Sequence, residues 1–360
     1  MRDSMKALVM RGHGDLSQLA VDSVPKPEIR APRDVLIRLS AAALNHLDLW
    51  TLRGLPGLSL EFPHVLGADG AGVVEAVGDG VRSVRPGDKV MINPGIACYA
   101  CEYCDQGEHS LCLEYRLLGE HLPGTLAEYI VVPEQNVAVI PVPPDPHPPI
   151  TWREAAAFSL VTLTAWRMLM SRARLRPGEV VLIWGIGGGV SSAALKIAKL
   201  AGAFVIVTSS SDDKLATALS LGADVALNHR EVDVAKEVRA LTGKRGADVV
   251  VENVGEATWE QSLRALAKQG RLVTCGATTG PKVVTDVRRM FWNQYTLMGS
   301  TMGNLAEYRE IVRLLGQGHL RPLVDSAFPL ERAVEAFERL ERGSQMGKIV
   351  IDLVPAGRPD

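Results

Sequence analysis

The sequence lacks an excess of charge of either sign. Its 39 lysine and arginine residues nearly balance its 41 aspartate and glutamate residues, which gives a net charge of −2. No run of basic residues accompanies this balance, so the composition argues against a nucleic-acid partner. Hydrophobic residues make up 47% of the chain, aromatic residues 5% and charged residues 22%, as in ordinary soluble globular proteins.

Long apolar segments are also missing. No stretch approaches the ~20 apolar residues that a membrane-spanning helix needs. The first residues, Met1 to Lys6, lack the longer apolar core of a secretory signal peptide. The sequence therefore predicts a cytoplasmic protein that has no membrane partner. Its 360 residues are too many for one small core and fit two domains.

Cysteine is scarce, and four of the five cysteines lie close together, in the pattern Cys98-x2-Cys101-x2-Cys104-x7-Cys112. Four thiolates at this spacing suit a tetrahedral Zn²⁺ ion. Two disulfides are the alternative, but neighbours three residues apart in a tight loop strain disulfide geometry, and a chain without a secretory signal should stay reduced. We therefore predict one zinc per chain in a lobe at 95–115. That zinc is structural, because four protein ligands leave no open position on the metal.

The most informative feature that is present is a glycine cluster at 185–191. An apolar run, 180–183, precedes it, and a segment with helical spacing, 193–200, follows it. Strand, tight turn and helix form the unit that binds a dinucleotide pyrophosphate, because glycines let the backbone approach the phosphates and the helix N-terminus offers free N–H groups. After residue 180, apolar strands alternate with amphipathic helices, which indicates βαβ units in a parallel sheet covered on both faces.

The segment after the second strand of this unit predicts which dinucleotide binds. NAD sites usually place Asp or Glu there, where it bonds the ribose hydroxyls. Here Ser209 and Ser210 end the strand, and no carboxylate occurs before Asp212. Hydroxyl groups can donate to a 2′-phosphate and Lys214 can pair with it, so we expect NADPH, with NADH possible. The alternative is that the serines form only the turn and N-cap of the next helix.

Strands dominate the chain before about residue 140. Four glycines in the β-branched run 67–78 suggest bulges and close backbone approaches in an antiparallel, barrel-like region. Further segments predicted as strands are 6–10, 34–39 and 89–92, and helices are predicted at 152–170, 305–315 and 330–340, before a last strand at 347–353.

These patterns resemble the medium-chain dehydrogenase/reductase superfamily, which includes zinc-type alcohol dehydrogenases and quinone oxidoreductases. The resemblance covers essentially the whole chain. Its motifs are Gly67-x-Asp69-x-x-Gly72-x-Val74-x-x-Val77-Gly78, Pro86-Gly87-Asp88-Lys89-Val90, the four-cysteine lobe, Gly124-Thr-Leu-Ala-Glu128-Tyr129, the 185–191 loop and Gly222-Ala223-Asp224.

The family implies an α/β architecture of two domains. One is a GroES-like, partly open β-barrel formed by 1–163 and 303–360. The other is a Rossmann domain with a doubly wound parallel sheet at 164–302. The family also implies an active site in the cleft, and a homodimer or homotetramer.

The departures from the family concern its catalytic zinc. In zinc alcohol dehydrogenases a Cys, a His and a second Cys hold that metal, and the matching positions here are Asn45, Ala68 and Leu160. The hydroxyl and imidazole of the proton relay match Leu47 and Trp50. The resemblance therefore implies that the catalytic zinc and its relay are absent, while the structural lobe is kept.

This loss changes the chemistry that we expect. Without a Lewis acid, alcohol oxidation loses its main electrostatic help. The zinc-free quinone oxidoreductase branch has Asn at the position of Asn45. We therefore expect an NADPH-dependent oxidoreductase that transfers hydride to an activated C=C bond or a quinone-type substrate, a small apolar carbonyl compound. The alternatives are an NAD(P)-dependent alcohol or aldehyde dehydrogenase of the zinc-containing type and a non-catalytic nucleotide-binding sensor or structural protein. In the glycine loop, Ser191 stands where this branch usually has its last glycine.

The candidate catalytic residues share a place in or beside the matched pocket, and they are Asn45, His46, Asp48, Trp50, Asp69 and His121. Asn45 is the first candidate to bond a substrate carbonyl, with capping of a turn as its alternative. His46 or His121 can donate a proton, because imidazole titrates near neutrality. A second metal near His46 and Asp69 is a further alternative.

The candidate cofactor residues follow strand ends or touch the nicotinamide by matched position, and they are Thr164, Gly185, Gly187, Gly188, Gly189, Val190, Ser209, Ser210, Lys214, Val254, Gly276 and Ser300.

Overall fold

A computed structural model describes residues 4–354. The outermost residues of the expected domain ranges, 1–3 and 355–360, lie outside this part of the chain. The described residues form two compact units. One unit runs to Leu160 and resumes at Asn304, and the other is Val161–Gly303. No helix among the described residues has both the length and the apolar character to cross a bilayer.

The strands, in chain order, are β1 Ser4–Met10, β2 Leu19–Pro25, β3 Asp34–Ala43, β4 His64–Val65, β5 Asp69–Val77, β6 Lys89–Ile92, β7 Gly95–Ile96, β8 Arg116–Leu117, β9 Tyr129–Pro133, β10 Val137–Val139, β11 Val180–Ile183, β12 Phe204–Ser209, β13 Val225–Asn228, β14 Ala247–Glu252, β15 Leu266–Thr274, β16 Thr296–Gly299, β17 Val324–Pro329 and β18 Lys348–Asp352.

The α-helices are α1 His46–Arg53, α2 Glu102–Asp105, α3 Trp152–Trp166, α4 Gly189–Leu200, α5 Asp212–Ser220, α6 Val234–Leu241, α7 Trp259–Ala265, α8 Val287–Asn293, α9 Leu305–Gly316 and α10 Ala333–Glu341.

The first unit is built around β3. This strand pairs antiparallel with β5, β9 and β18, and its pairing with β5 contains two register shifts. At Gly72 a Cβ atom would lie 2.1 Å from the carbonyl oxygen of Arg38, so only glycine fits. These features confirm the bulges and close backbone approaches expected in the glycine-rich run. Because β18 pairs with β3, the C-terminal part of the chain completes this unit.

The second unit is a six-stranded sheet in the order β13-β12-β11-β14-β15-β16, and every neighbouring pair is parallel. Leu182, Ile206 and Val250 are fully buried in its core, as expected for strands covered on both faces. Successive connections run outward in one direction from β11 and in the other from β14. This reversal is the switch point of a doubly wound fold, where the carboxyl ends of the strands form the ligand-binding edge.

The observed elements differ from the predicted ones in several places, and neither the strand β2 nor the helix α1 was predicted. The helix α3 ends at Trp166 and continues as a π-helical segment, Arg167–Arg172. The helix expected at 330–340 begins with a 3₁₀ turn, Leu330–Arg332, before α10. The sequence did not predict α8 or β17. None of the residues of α8 is buried, so it lacks the core-facing apolar stripe on which helix prediction depends.

Candidate active site, zinc lobe and cofactor-binding loop

The four-cysteine lobe has the geometry of a metal site. The sulfur atoms of Cys98, Cys101, Cys104 and Cys112 lie within 4.8 Å of one another, and those of Cys98 and Cys104 are 3.9 Å apart. Zinc–sulfur bonds of about 2.3 Å in a tetrahedron require sulfur atoms about 3.8 Å apart. None of the five cysteines, all of which lie within residues 4–354, is in a disulfide. The cluster therefore fits the structural zinc predicted from the spacing.

Backbone groups favour the thiolate form at Cys101, whereas burial raises the pKa of Cys104 to about 12. The N–H groups of Cys98 and Glu114 donate to Sγ of Cys112 at 3.2 and 3.3 Å. The backbone N–H of Leu113 contributes most to lowering the pKa of Cys101 to about 6. A thiolate is the form that binds zinc.

The glycine loop between β11 and α4 fits a dinucleotide. Gly185 has a φ of +65°, which favours glycine, and a Cβ atom there or at Gly188 would meet no heavy atom closer than 3.7 Å. No side chain caps the N-terminus of α4, and its first intrahelical bond runs from the N–H of Ser192 to the carbonyl of Gly188. The earlier N–H groups of the helix are therefore available for an anion.

The predicted cofactor residues at strand ends lie along the same edge of the sheet as this loop. Val254 follows β14, Gly276 follows β15 and Ser300 follows β16. In a parallel sheet these carboxyl ends share one edge, so the structure brings the three residues to the edge that holds 185–190. Thr164 lies in α3, is buried, and donates a weak hydrogen bond to Sδ of Met302 at 3.7 Å.

The serines at the end of β12 take part in the turn that leads to α5. Oγ of Ser209 accepts a hydrogen bond from the backbone N–H of Ser211, which is the N-cap residue of α5. Ser210 lies between them, and Lys214 is half-buried in α5. The turn-forming role that was weighed as the alternative is therefore present. It leaves the choice between NADPH and NADH open.

One basic residue near this segment was missed. Arg230 is exposed and follows β13, the strand whose residue Asn228 pairs with Ser209. In a dinucleotide-binding unit, the residues after the second strand are the ones whose sequence indicates the coenzyme. The parallel register brings residues after the third strand to the same place.

Asn45 and Asp48 begin the helix α1, directly after β3. Oδ2 of Asp48 accepts a hydrogen bond from the backbone N–H of Asn45 at 2.7 Å, and its Oδ1 accepts one from Gly67 at 3.0 Å. Burial raises the pKa of Asp48 to about 6. Asp48 thus ties the start of α1 to the glycine-rich segment.

Asp69 is the centre of a buried polar cluster. Its Oδ1 accepts a hydrogen bond from the backbone N–H of Leu160 at 2.8 Å. Its Oδ2 accepts from Nδ2 of Asn45 at 3.0 Å and from Nζ of Lys348 at 2.9 Å. The side chain of Asp69 is 0% exposed and that of Lys348 is 3% exposed. Two of the three positions matching zinc ligands, Asn45 and Leu160, therefore converge on one carboxylate, and the third, Ala68, precedes it in the chain.

Lys348 was also missed. It stands at the first position of β18 and donates a second, very short hydrogen bond to Oδ1 of Asn45. In the sequence it is one lysine at the start of a short apolar strand, about 280 residues from Asp69. The two side chains meet because β18 and β5, which carries Asp69, both pair with β3.

Both polar atoms of the Asn45 side chain form hydrogen bonds within this cluster. Its oxygen accepts from Lys348, and its nitrogen donates to Asp69 and lies 3.4 Å from the carbonyl of Ala43. Asn45 would have to give up one of these partners to polarise a substrate carbonyl. That role remains a prediction, and the observed role is to hold Asp69 and Lys348 in place.

The two candidate proton donors differ in environment. The ring of His46 is edge-on to Trp50 at 5.1 Å, and burial lowers the pKa of His46. Nδ1 of His121 accepts from the backbone N–H of Leu117 at 3.3 Å, and its Nε2 is 3.7 Å from Glu120. The bond at Nδ1 leaves the proton of the neutral ring on Nε2 of His121.

The segment carrying His121 packs against the residues beside Ala68. A Cβ atom at Gly119 would lie 2.6 Å from backbone atoms of Gly67, so the two backbones touch. His64 joins the same region through Nε2, which is 3.2 Å from the carbonyl oxygen of Gly119. Among residues 4–354, the group with metal-ligand spacing is the four-cysteine cluster, and a second metal near His46 and Asp69 stays a prediction.

Two family models match the chain. An alcohol dehydrogenase GroES-like domain matches residues 31–144, and a zinc-binding dehydrogenase domain matches residues 189–317. A zinc-type alcohol dehydrogenase-like protein from Schizosaccharomyces pombe is 32% identical over 95% of this chain and 98% of its own length.

Solved structures agree with this assignment. The crystal structure of an NAD-dependent alcohol dehydrogenase is similar at 45% identity and a TM-score of 0.92, covering 97% of this chain and 100% of that one. A 2-octenoyl-CoA carboxylase reductase, CinF, solved in complex with NADP and 2-octenoyl-CoA, is similar at 29% identity and a TM-score of 0.90, covering 100% of this chain and 90% of that one.

The Rossmann sheet, the GroES-like unit and the cysteine lobe thus agree with the relatives, which are named as oxidoreductases, and the non-catalytic alternative is set aside. The chain belongs to the medium-chain dehydrogenase/reductase superfamily and is an NAD(P)H-dependent oxidoreductase.

Proposed function

We propose that this protein is an NADPH-dependent reductase of activated C=C bonds or quinones and that it works without a catalytic zinc. The observation that carries the proposal is the buried cluster of Asn45, Asp69 and Lys348. Asn45, Ala68 and Leu160 offer no set of metal ligands, and Lys348 already neutralises the carboxylate of Asp69. A metal cation at this place would meet the charge of the lysine.

The hydride is supplied by the reduced nicotinamide dinucleotide when it is bound. The glycine loop and the free N–H groups of α4 hold the pyrophosphate. A C=C bond conjugated to a carbonyl is already electrophilic at one carbon. Its reduction therefore does not need a Lewis acid, whereas alcohol oxidation needs one to stabilise the alkoxide. The protein then needs to provide a proton at the neighbouring carbon.

His121 is the residue that we propose as the proton donor. To donate, the ring must be protonated at both nitrogens, so Nδ1 gives up its bond from Leu117 and the loss of the proton on Nε2 returns the neutral ring; the side chain is 38% exposed, so a substrate can reach it. Glu120 lies beside it, and burial raises the pKa of Glu120. His46 is the weaker candidate, because its ring lies edge-on to Trp50 and burial lowers the pKa of His46, which disfavours the protonated ring that donates.

The substrate class is supported by one of the similar structures. CinF was solved with NADP and with 2-octenoyl-CoA, whose C=C bond is conjugated to a thioester carbonyl. An alcohol dehydrogenase is the second candidate, because the structure at 45% identity is an NAD-dependent alcohol dehydrogenase. The loss of zinc ligands at three matched positions is why we favour reduction.

The test compares the reduction of unsaturated acceptors with the oxidation of alcohols by the same protein preparation. Oxidation of NADPH and NADH is followed with an enone, a 2-enoyl thioester and a quinone, and reduction of NADP and NAD is followed with primary and secondary alcohols. We expect turnover with at least one unsaturated acceptor and far slower oxidation of every alcohol. Faster alcohol oxidation, or no turnover of any acceptor, would contradict the proposal.

The preference for NADPH rests on the end of β12, where the first carboxylate after Ser209 is Asp212. Its Oδ1 accepts a hydrogen bond from Nδ2 of Asn228 and is held toward β13. Lys214 and the missed Arg230 add positive charge nearby. We expect Ser209→Asp to shift preference from NADPH toward NADH, because a carboxylate repels the 2′-phosphate and bonds the ribose hydroxyls.

The ratio of kcat/KM values for NADPH and NADH measures this shift. Ser220→Asp is the matched control, since Ser220 ends α5 and donates only to the carbonyl of Thr217. An unchanged ratio in Ser209→Asp would remove Ser209 from the coenzyme site.

A further inference from the structure

A polar bridge joins the two strands that flank the switch point of the Rossmann sheet. Ser191, the third residue of α4, is fully buried. Its Oγ donates to the carbonyl oxygen of Trp184, directly after β11, at 2.9 Å. The same Oγ accepts from Nδ2 of Asn253, directly after β14, at 3.1 Å. One hydroxyl group therefore connects the ends of two adjacent parallel strands.

The direction of these two bonds is fixed by chemistry. A serine hydroxyl has one proton to donate, and the carbonyl of Trp184 takes it. The lone pairs that remain can only accept, and the amide nitrogen of Asn253 can only donate. Each group thus has a partner of the right kind, and inside the protein such bonds are stronger than in water.

The segment that carries Asn253 is held in place by hydrogen bonds that do not involve Ser191. Asn253 follows Glu252, whose carboxylate is fully buried. Oε1 of Glu252 accepts from the backbone N–H groups of Val254 at 2.7 Å and Gly255 at 3.1 Å. The other oxygen, Oε2, accepts from two hydroxyl groups at 2.8 Å each, those of Thr258 and Ser262. The loop after β14 is therefore rigid, and Asn253 reaches toward Ser191 from a fixed base.

We propose that the hydrogen bond between Ser191 and Asn253 is a latch that holds the glycine loop 185–190 in the shape that binds the coenzyme. Both are positioning residues, since they act through the loop backbone. The inference depends on dinucleotide binding, and the substrate class proposed above does not enter it.

The energetic role of the latch follows from the loop's composition. Glycine-rich backbone has many accessible conformations, and fixing them at the moment of binding weakens the affinity. A side chain that pins the third residue of α4 to both neighbouring strands restricts the loop before the coenzyme arrives. A glycine at position 191 could not make this connection, so serine gives the loop an order that glycine would not.

The test measures coenzyme binding without any substrate. Dissociation constants for NADPH and NADH are determined by fluorescence titration for Ser191→Ala, Asn253→Ala and the double variant. We expect Asn253→Ala to bind about fivefold more weakly, the effect of one neutral hydrogen bond, and Ser191→Ala to lose at least as much, because it also removes the bond to Trp184. The double variant should bind like Ser191→Ala, because that change has already removed the bond from Asn253.

Ser192→Ala is the matched control. Ser192 lies next to Ser191, and its hydroxyl donates within the same helix to the carbonyl of Gly189 at 2.9 Å. Its loss should leave the dissociation constants unchanged. The latch is contradicted if the single variants bind like this control, or if the loss in the double variant equals the product of the two single losses, as for independent effects.

A second measurement tests the proposal even if an alanine variant does not fold. Ser191→Gly removes the hydroxyl and introduces the residue usual at this position in the zinc-free branch. Hydrogen exchange of the backbone amides of 185–190 is compared in unliganded wild type and Ser191→Gly, with the amides of β12 as internal reference. Faster exchange confined to the loop supports the latch, and equal exchange in the two proteins overturns it.

Discussion

At the scale of single residues, the buried pair of Lys348 and Asp69 has the largest consequence for stability. Both side chains are almost fully removed from water, and each has another hydrogen-bonding partner within the cluster. Removing one member of a buried ion pair leaves the other charge without compensation, which costs far more than the pair itself contributes. Asp69 and Lys348 therefore each need the other in order to remain buried as charged groups.

We expect Lys348→Met to lower the free energy of unfolding by about 3–5 kcal/mol, because Asp69 would remain buried without its cation. Urea unfolding followed by circular dichroism measures this change. Lys6→Met is the matched control, since Lys6 pairs with Glu331 at 3.4 Å with both side chains 63% exposed. Exposed pairs contribute about 0–1 kcal/mol. Equal losses in the two variants would show that Lys348 does not compensate a buried charge.

Asp48 should give stability a specific pH dependence. Burial raises the pKa of Asp48 to about 6 in the folded protein, above its ordinary value of 3.8. Between these two values the folded state binds more protons than the unfolded state, so this contribution is complete below the unfolded value and is lost as pH rises to about 6.

Asp48→Asn cannot titrate, so it isolates this contribution. The free energy of unfolding of wild type minus that of Asp48→Asn should fall as pH increases from 4 to 6. Urea unfolding at several pH values measures the difference. A difference that stays constant, or that grows with pH, would show that the fold does not raise the pKa of Asp48.

At the scale of elements, the Rossmann unit was the most predictable part of the chain. Its strands are buried on both faces and its helices have one apolar stripe, so local patterns identify them. Predicted and observed bounds differ by a few residues, as with the helix expected at 193–200 and observed at Gly189–Leu200. The helix α8 has no buried face and so gave no such signal.

The candidate site was less predictable than the fold, because its contacts join distant parts of the chain. The spacing of the four cysteines and of the glycine loop is local, and both were recognised from the sequence. The partner of Asp69 is Lys348, and no local pattern marks a lysine that becomes buried through strand pairing. The bond between Ser191 and Asn253 depends in the same way on the adjacency of β11 and β14.

The zinc lobe gives a prediction at the scale of an element. Cys104→Ser should reduce the zinc content from one to none per chain, because a structural site needs all four thiolates. Elemental analysis of the purified variants measures this. Cys275→Ser is the control and should keep its zinc, because Cys275 lies in the Rossmann unit, outside the lobe. Full zinc retention in Cys104→Ser would exclude Cys104 as a ligand.

At the scale of the whole molecule, the two units divide the chemistry. The Rossmann unit carries the glycine loop and the strand ends that hold a dinucleotide. The GroES-like unit carries the cysteine lobe and the cluster around Asp69, and β18 contributes Lys348 to that cluster. The chain thus has a four-cysteine cluster that fits a structural metal, and Lys348 contacts Asn45, one of the positions that the family resemblance matches to ligands of a catalytic zinc.

The most direct test of this account is the number of zinc ions per chain in protein that turns over its substrate. Native mass spectrometry of the active preparation measures it. We predict one zinc per chain, held by the four-cysteine lobe. Two zinc ions per chain, with the second lost in Asp69→Asn, would contradict the account.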